Sequence, residues 1–140
     1  MALGRVAQIH ISVTDLDRAV AFYRDILELP LLFVVPGHSD TAPGADLEAP
    51  RSASRPGGMA FFQAGDVRLY LGVPEAPEFR SHTVVYYEVA DIDAEYARLI
   101  TLGVAFLDEP HVVHRDEAGE LWMAFLSDPD GHHIAITQQK

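Results

Sequence analysis

The chain has 140 residues, 49% of them hydrophobic, no cysteine and a formal net charge of −11. This size predicts a single compact domain, residues 1–140, and the acidity argues against nucleic acid and anionic membranes as partners, because both are bound through clustered Lys and Arg. The sequence has no apolar run of membrane length, no signal-peptide pattern and no cysteines, so we expect a cytoplasmic protein. The negative charge is compatible with a cationic ligand, although acidity also serves solubility.

The first half of the chain predicts one strand, one helix and three further strands. Apolar and polar residues alternate along 7–13, and the polar face carries Gln8, His10 and Ser12. A helix follows over 16–27, capped by Thr14 or Asp15. The other strands are expected at 31–35, 59–63 and 67–73. The long loop at 36–58 is interpreted either as a lid over a site or as a surface insertion.

The second half predicts the same order of elements. Its first strand, over 82–89, carries His82, Val84, Tyr86 and Glu88 on one face. Asp91 can cap the helix that follows over 92–100, and Gly103 lies where a helix end favours a left-handed residue. The last three strands are expected at 104–107, 121–126 and 133–137, with a turn at 128–131.

The two halves also resemble each other in sequence. Residues 13–19 recur as 89–95, and 59–62 are echoed by 123–126. We further align Gly65–Leu69 with Gly131–Ala135. A unit of strand, helix and three strands used twice predicts two βαβββ modules, about 5–73 and 82–138, related by a pseudo-twofold axis.

Three stretches resemble a known family. They are VTDLDRAVAFYRDILELP at 13–30, VADIDAEYARLITLGVAF at 89–106 and FLSDPDGHHIAI at 125–136. They resemble the vicinal oxygen chelate superfamily, the glyoxalase, bleomycin-resistance and extradiol-dioxygenase group. The resemblance implies an α+β fold, in which the two modules form a curled eight-stranded sheet with helices on the convex face. It also implies a small-molecule site in the concavity and a homodimer.

The resemblance further implies where a metal would be bound, by one side chain from the first and one from the last strand of each module. Those four positions are expected at Gln8, Leu69, Val84 and Ala135. Only Gln8 has a donor atom, whereas a divalent cation needs several. No metal and no cofactor are therefore predicted. The alternative is a divalent metal held by non-standard ligands such as His10 and Glu88.

Strand alternation places further polar side chains beside those positions. His10 and Glu88 are predicted as a catalytic acid–base pair, because an imidazole near a carboxylate can transfer protons. Gln8, Ser12 and Tyr86 are predicted to bind the ligand. The alternative for all of them is that they are simply solvated polar residues of half-buried strands.

Two more ligand-binding residues, His111 and Trp122, come from the resemblance. In relatives of the family, a Glu-Pro-His stretch followed by Leu-Trp-Met-Ala-Phe occurs near the pocket, and here the second stretch is 121–125. Trp122 and Phe125 must point to opposite faces of their strand. We expect Phe125 to pack in the core. His132 and His133 are interpreted as exposed turn residues.

Three functions follow from the resemblance and stay open at this point. The first is a glyoxalase-type lyase or isomerase, or a dioxygenase-related enzyme, that lacks the usual metal site. The second is a non-catalytic protein that sequesters a small molecule, as in the bleomycin-resistance branch. The third is an accessory domain with no specific ligand.

Overall fold

The computed structural model describes residues 2–37, 55–76, 78 and 80–140, and it divides the chain into two compact units, Met1–His82 (unit 1) and Thr83–Lys140 (unit 2). The predicted modules fall one in each unit, apart from the boundary residue His82. Most of the predicted loop, at 38–54, lies outside the described residues, and the lid hypothesis with it. None of the described helices has the length and apolarity needed to cross a membrane.

Unit 1 has the predicted βαβββ order. Its elements are β1 (Gln8–Ser12), α1 (Leu16–Ala21), a π-helical continuation (Phe22–Ile26), β2 (Leu31–Val35), β3 (Met59–Ala64) and β4 (Val67–Gly72). The strand order is β1-β4-β3-β2, with β1 parallel to β4 and the other pairs antiparallel. The Asp15 carboxylate caps α1 by accepting the Arg18 N–H at 3.1 Å. The chain leaves the helix at Glu28, where φ is 60°.

Unit 2 repeats this order. Its elements are β5 (Val85–Glu88), α2 (Ile92–Thr101), β6 (His111–Asp116), β7 (Gly119–Ser127) and β8 (His133–Gln139). The strand order is β5-β8-β7-β6, with the same parallel and antiparallel pairing. Asp91 caps α2 through the Ala94 N–H at 3.1 Å, and Gly103 follows the helix with a φ of 84°. The prediction of two βαβββ modules is confirmed.

One predicted strand is wrong. Residues 104–107 form only an isolated bridge, Phe106 with Leu126, and the third strand of unit 2 is His111–Asp116 instead. The segment does run beside β7, because the Leu107 N–H donates to the Phe125 carbonyl at 2.8 Å. Pro110 has no N–H to donate, and a regular ladder begins only after it.

In both units the sheet buries the face that carries the helix. The large buried side chains include Ile11, Leu16, Tyr23, Phe62, Leu69 and Leu71 in unit 1, and Ile92, Leu99, Leu126 and Ile134 in unit 2. Side chains alternate along a strand, so their neighbours point to the opposite face. That opposite face carries most of the residues discussed below.

Tyr87 on β5 is an exception in the interior of unit 2. Its hydroxyl is buried, and among the described residues it has no hydrogen-bond partner. Burial, and to a smaller extent the charge of Asp128, raise the pKa of this phenol far above its usual range. Because a buried hydroxyl without a partner is costly, we expect Tyr87→Phe to stabilise the protein by about 1 kcal/mol, measured by urea unfolding. The neighbouring exposed Tyr86→Phe is the control, with no change expected.

The same residue predicts a pH dependence. A raised phenol pKa means that folding favours the neutral form, so ionisation of this group does not affect the unfolding free energy below the unfolded-state pKa of about 10 and lowers it as the pH rises above that value. Unfolding free energy should therefore fall more steeply above about pH 10 in the original protein than in Tyr87→Phe. Parallel pH profiles for the two proteins would contradict this assignment.

Candidate functional site

Unit 1 carries a row of four aromatic rings across its sheet, one from each strand. The aromatic row consists of His10 (β1), Tyr70 (β4), Phe61 (β3) and Phe33 (β2). Each ring stands directly opposite the next in the strand register, from His10 to Tyr70 to Phe61 to Phe33. The row lies on the face opposite the core, because the residues that follow in β1, β4 and β3 are buried. Cross-strand neighbours on one face are close enough for their rings to touch.

Three rings of the row, Tyr70, Phe61 and Phe33, are stacked, and His10 is tilted against Tyr70. Ring centroids are 4.5 Å apart for His10 and Tyr70, 5.1 Å for Tyr70 and Phe61, and 4.5 Å for Phe61 and Phe33. The Tyr70 and Phe61 planes differ by 10° and those of Phe61 and Phe33 by 23°, whereas His10 is tilted by 42°. Such distances are typical of aromatic pairs in proteins. Phe33, on the edge strand, is 46% exposed.

Gly72 sets the position of the Tyr70 ring. The two residues share one face of β4, and the ring leans along the strand over the glycine. A Cβ at Gly72 would lie 2.7 Å from the Tyr70 hydroxyl and 2.8 Å from two ring carbons. A side chain there would have to displace the ring. Glycine is therefore required for this arrangement, although its backbone conformation is ordinary.

This contact predicts a measurable coupling. Gly72→Ala is expected to destabilise the protein by about 1–2 kcal/mol through overpacking against Tyr70. In a Tyr70→Ala background the same substitution should cost much less, since the clashing ring is gone, and urea unfolding of the four proteins measures the difference. Equal costs in the two backgrounds would show that the ring does not lie over Gly72.

A recess of about 450 Å³ adjoins the aromatic row at the end of β4. Its lining residues within the described part of unit 1 are His10, Val35, Pro36, Gly57, Met59, Tyr70, Val73, Pro74 and Glu75. Burial and then the negative charge of Glu75 raise the pKa of the Tyr70 phenol. Its hydroxyl therefore stays protonated at neutral pH. The volume is in the range of small-molecule sites, and the lining is mostly apolar with a few polar groups.

His10 and Ser12, two of the predicted site residues, lie within hydrogen-bond distance of each other. The His10 Nε2 is 3.1 Å from the Ser12 hydroxyl. Ser12 is buried, its hydroxyl accepts the Ser81 N–H at 2.8 Å, and its own N–H donates to the Ser81 hydroxyl at 2.8 Å. Ser12 thus fastens β1 to the chain around Ser81 and orients His10. The predicted Gln8 lies at the exposed start of β1, opposite Arg68.

The predicted acid–base pair falls in different units, His10 in unit 1 and Glu88 in unit 2, and its pairing stays a prediction. Glu88 lines a second recess of about 440 Å³. The other lining residues, all from the described part of unit 2, are Val89, Ala90, Leu121, Thr137, Gln138 and Gln139. Gln138 bridges the start of α2 there, accepting the Ile92 N–H and donating to the Ala90 carbonyl. The amide of Gln138 therefore serves the helix end.

Tyr86 and Phe125 lie together on the face of unit 2 opposite the core. Their ring centroids are 6.0 Å apart in an edge-to-face arrangement, and Tyr86 is 52% exposed. Ala124 and Leu126, the neighbours of Phe125, are the buried ones. The expectation that Phe125 packs in the core is therefore wrong. The strand had the predicted alternation, but its small residue, Ala124, faces α2.

Trp122 lies on the opposite face of β7 from Phe125, the face that carries α2. Its indole packs under the Lys140 ammonium, 4.3 Å from the ring centroid, and its N–H donates to Glu120 at 3.3 Å. His111 stands opposite Met123, on the Phe125 face, and its Nδ1–H donates to the Glu109 carbonyl at 2.8 Å. Of these two predicted ligand-binding residues, only His111 shares a face with Tyr86.

The strand register corrects one of the expected metal-ligand positions. His10 pairs with Tyr70 and the corresponding Tyr86 pairs with Ala135, so Ala135 corresponds to Tyr70. Leu69 instead points into the core, 2% exposed. Tyr70 lies five residues after Gly65, whereas Ala135 lies four residues after Gly131, so an alignment of the two glycines shifts the strand by one residue.

The residues at the expected metal-ligand positions do not suit a divalent cation. They are Gln8 and Tyr70 in unit 1 and Val84 and Ala135 in unit 2, and the two side chains of unit 2 are aliphatic and have no donor atom. A tyrosine coordinates a metal as a phenolate, and the raised pKa of the Tyr70 phenol disfavours that form. Elsewhere in the described ranges no three His, Asp or Glu side chains come close enough to hold a metal ion.

Sequence reasoning missed three members of the aromatic row, Phe33, Phe61 and Tyr70. Each lies in a predicted strand, so the alternation could have placed each on a face. What the sequence did not reveal is that these rings stand opposite each other, which depends on the register between strands.

Comparisons with known proteins agree with this architecture. A family model described as the Glyoxalase/Bleomycin resistance protein/Dioxygenase superfamily matches residues 5–136. The crystal structure of TnmS3, an antibiotic binding protein from Streptomyces sp. CB03234, is similar, with 26% identity, a TM-score of 0.69 and coverage of 100% of this chain and 99% of that one. No curated protein matches the sequence.

Two further structures resemble the chain in fold alone. A member of the same superfamily from Sphaerobacter thermophilus DSM 20745 is 20% identical, with a TM-score of 0.69 and 98% of each chain covered. Virulence protein STM3117 from Salmonella typhimurium is 16% identical, with a TM-score of 0.69 and 100% of each chain covered.

Proposed function

Because the chain belongs to the Glyoxalase/Bleomycin resistance protein/Dioxygenase superfamily, we propose that it binds a small planar aromatic molecule at the aromatic row and recess of unit 1, without a metal and without converting it. The observation that carries this proposal is the row of four neighbouring rings, His10, Tyr70, Phe61 and Phe33, beside a mostly apolar recess. Flat aromatic ligands gain affinity by stacking on aromatic rings. Because the rings of the row already pack against one another, binding orders few further side chains and loses little conformational entropy.

Two features favour binding over catalysis. The residues at the family's metal positions do not fit a divalent cation, which argues against metal-assisted chemistry at that site. Ser12, although near an imidazole, is buried and accepts the Ser81 N–H, so it is not placed as a nucleophile. The similarity to TnmS3, named as an antibiotic binding protein, points the same way.

A second candidate is a metal-free lyase or isomerase. It is favoured by His10, whose imidazole lines the recess and is held by Ser12. An imidazole so placed can act as a general acid or base toward a bound ligand. In that case the ligand would be converted rather than released unchanged.

The proposal is tested by titrating the purified protein with acridine, a neutral planar probe at neutral pH, in a calorimeter. We expect saturable binding of one probe per chain, no binding of 1-adamantanol, which is apolar but not planar, and recovery of unchanged probe by mass spectrometry. Equal binding of both compounds, or of neither, would overturn the proposal. Chemical conversion of the probe would favour the enzyme, and a stoichiometric divalent metal retained after dialysis would contradict the metal-free site.

A further inference from the structure

The second recess, in unit 2, lies where β5 ends and its neighbour β8 continues. The pairing of β5 with β8 stops at Glu88, which stands opposite Thr137, and one further hydrogen bond follows, from the Val89 N–H to the Thr137 carbonyl at 2.9 Å. Strand β8 runs on to Gln139. Both Glu88 and Gln139 line the recess of about 440 Å³. The recess therefore adjoins the part of β8 that β5 leaves unpaired.

The backbone of Gln139 faces the side of β8 on which β5 lies. Glu120 and Lys140 exchange two hydrogen bonds of 2.8 Å between β7 and β8, so the next pair, Leu121 and Gln139, is a non-hydrogen-bonded pair of the antiparallel ladder. The N–H and C=O of Gln139 therefore point away from β7. On the β5 side neither group has a partner among the described residues. One donor and one acceptor of the sheet edge are thus open at the recess.

A carboxylate and an apolar side chain lie beside this open edge. Glu88 is exposed, and within the described part of the chain its carboxylate takes part in no ion pair or hydrogen bond. The described lining residues include neither Lys nor Arg, and Leu121 adds apolar surface. The Thr137 hydroxyl is already used, since it donates to a backbone carbonyl of β7 at 3.0 Å. Glu88 and the Gln139 backbone are therefore placed to hold a ligand.

We propose that this recess is a second binding site, for small molecules that combine a protonated amine with an amide group, such as the amides of apolar amino acids. The amide C=O accepts the Gln139 N–H and the amide N–H donates to the Gln139 C=O, as a longer β5 would do. The ammonium group lies near Glu88, whose backbone is about 7 Å from that of Gln139 along the strand direction, within reach of a glutamate side chain. The apolar side chain of the ligand contacts Leu121.

Three probes that share a branched alkyl group test this site by NMR titration of the isotope-labelled protein. They are L-leucinamide, which is largely protonated at about pH 6.5, its neutral N-acetyl derivative, and 3-methylbutylamine, which lacks the amide. We expect L-leucinamide to bind about two- to fivefold more tightly than either of the others at low ionic strength, the range of an exposed charge pair or a single hydrogen bond. The Gln139 backbone N–H signal should shift with the two amides and stay unchanged with the amine.

Substitutions assign the preference for the amine to one residue. Glu88→Gln keeps the size of the side chain and should bring the affinity for L-leucinamide down to that for the N-acetyl derivative, whose own affinity stays unchanged. The matched control is Glu117→Gln, which removes an exposed carboxylate in the turn between β6 and β7 that does not line the recess. That variant should keep the preference.

The outcomes separate the two parts of the site. A Gln139 N–H signal that does not move with either amide would overturn the site at the end of β5. Equal affinities of the original protein for L-leucinamide and its N-acetyl derivative, or equal losses in the two variants, would overturn the role of Glu88. The aromatic row shares no residue with this recess, so aromatic binding in unit 1 is tested independently.

Discussion

Replacing Phe62 with Ala is expected to destabilise the protein by about 3–5 kcal/mol, the range for a fully buried aromatic side chain. Phe62 is fully buried on the core face of β3, with the Tyr23 ring centroid 6.1 Å away. The substitution removes that contact and leaves a cavity that the two-layer core cannot close completely. Urea unfolding followed by circular dichroism measures the loss.

The neighbouring Phe61→Ala provides the matched comparison. Phe61 is half-buried on the other face of the same strand and stacks on two rings, so about 1–2 kcal/mol should be lost there. A loss at Phe61 equal to that at Phe62 would mean that the two faces of β3 are wrongly assigned, and the aromatic row with them.

The fold could be predicted because its signals are local. Alternation marked β1, helical spacing marked α1 and α2, and Asp15 and Asp91 are the caps that the sequence suggested. The failure at 104–107 is also informative. That segment is apolar enough for a strand, yet β7 pairs with β6 over most of its length and leaves it only isolated hydrogen bonds.

The candidate site was harder to predict because it depends on pairing between distant strands. His10 and Tyr70 are neighbours only because β1 and β4 run parallel in one register, and no local pattern encodes that register. The prediction did place His10 on the right face. It placed Leu69 on the wrong one, because a shift of one residue moves a side chain to the opposite face of the sheet.

The two units share a topology but not an aromatic row. Where unit 1 has Tyr70, unit 2 has Ala135, and Tyr86 and Phe125 meet edge to face instead. The sequence repeat therefore produces the same backbone topology in both units. The side chains on the face opposite the core differ at single positions. Both units repeat the fold, but the continuous row of four rings lies in unit 1. For that reason we place aromatic binding there.

This difference leads to the prediction with the largest effect on binding. Tyr70→Ala gives unit 1 the residue that unit 2 already has, and it removes the ring that both lines the recess and joins His10 to Phe61. We expect the affinity for acridine to fall about tenfold or more, since stacking on one aromatic side chain contributes about 1–3 kcal/mol. Calorimetric titration measures the change.

Tyr70→Phe separates the ring from its hydroxyl. It keeps the stacked ring and removes only the phenol oxygen, which is protonated at neutral pH and lies over Gly72. Acridine affinity should then stay within about twofold of the original, because stacking depends on the ring face. If Tyr70→Phe binds as poorly as Tyr70→Ala, the hydroxyl rather than the stack holds the ligand, and the site recognises a hydrogen-bonding group instead of a flat aromatic surface.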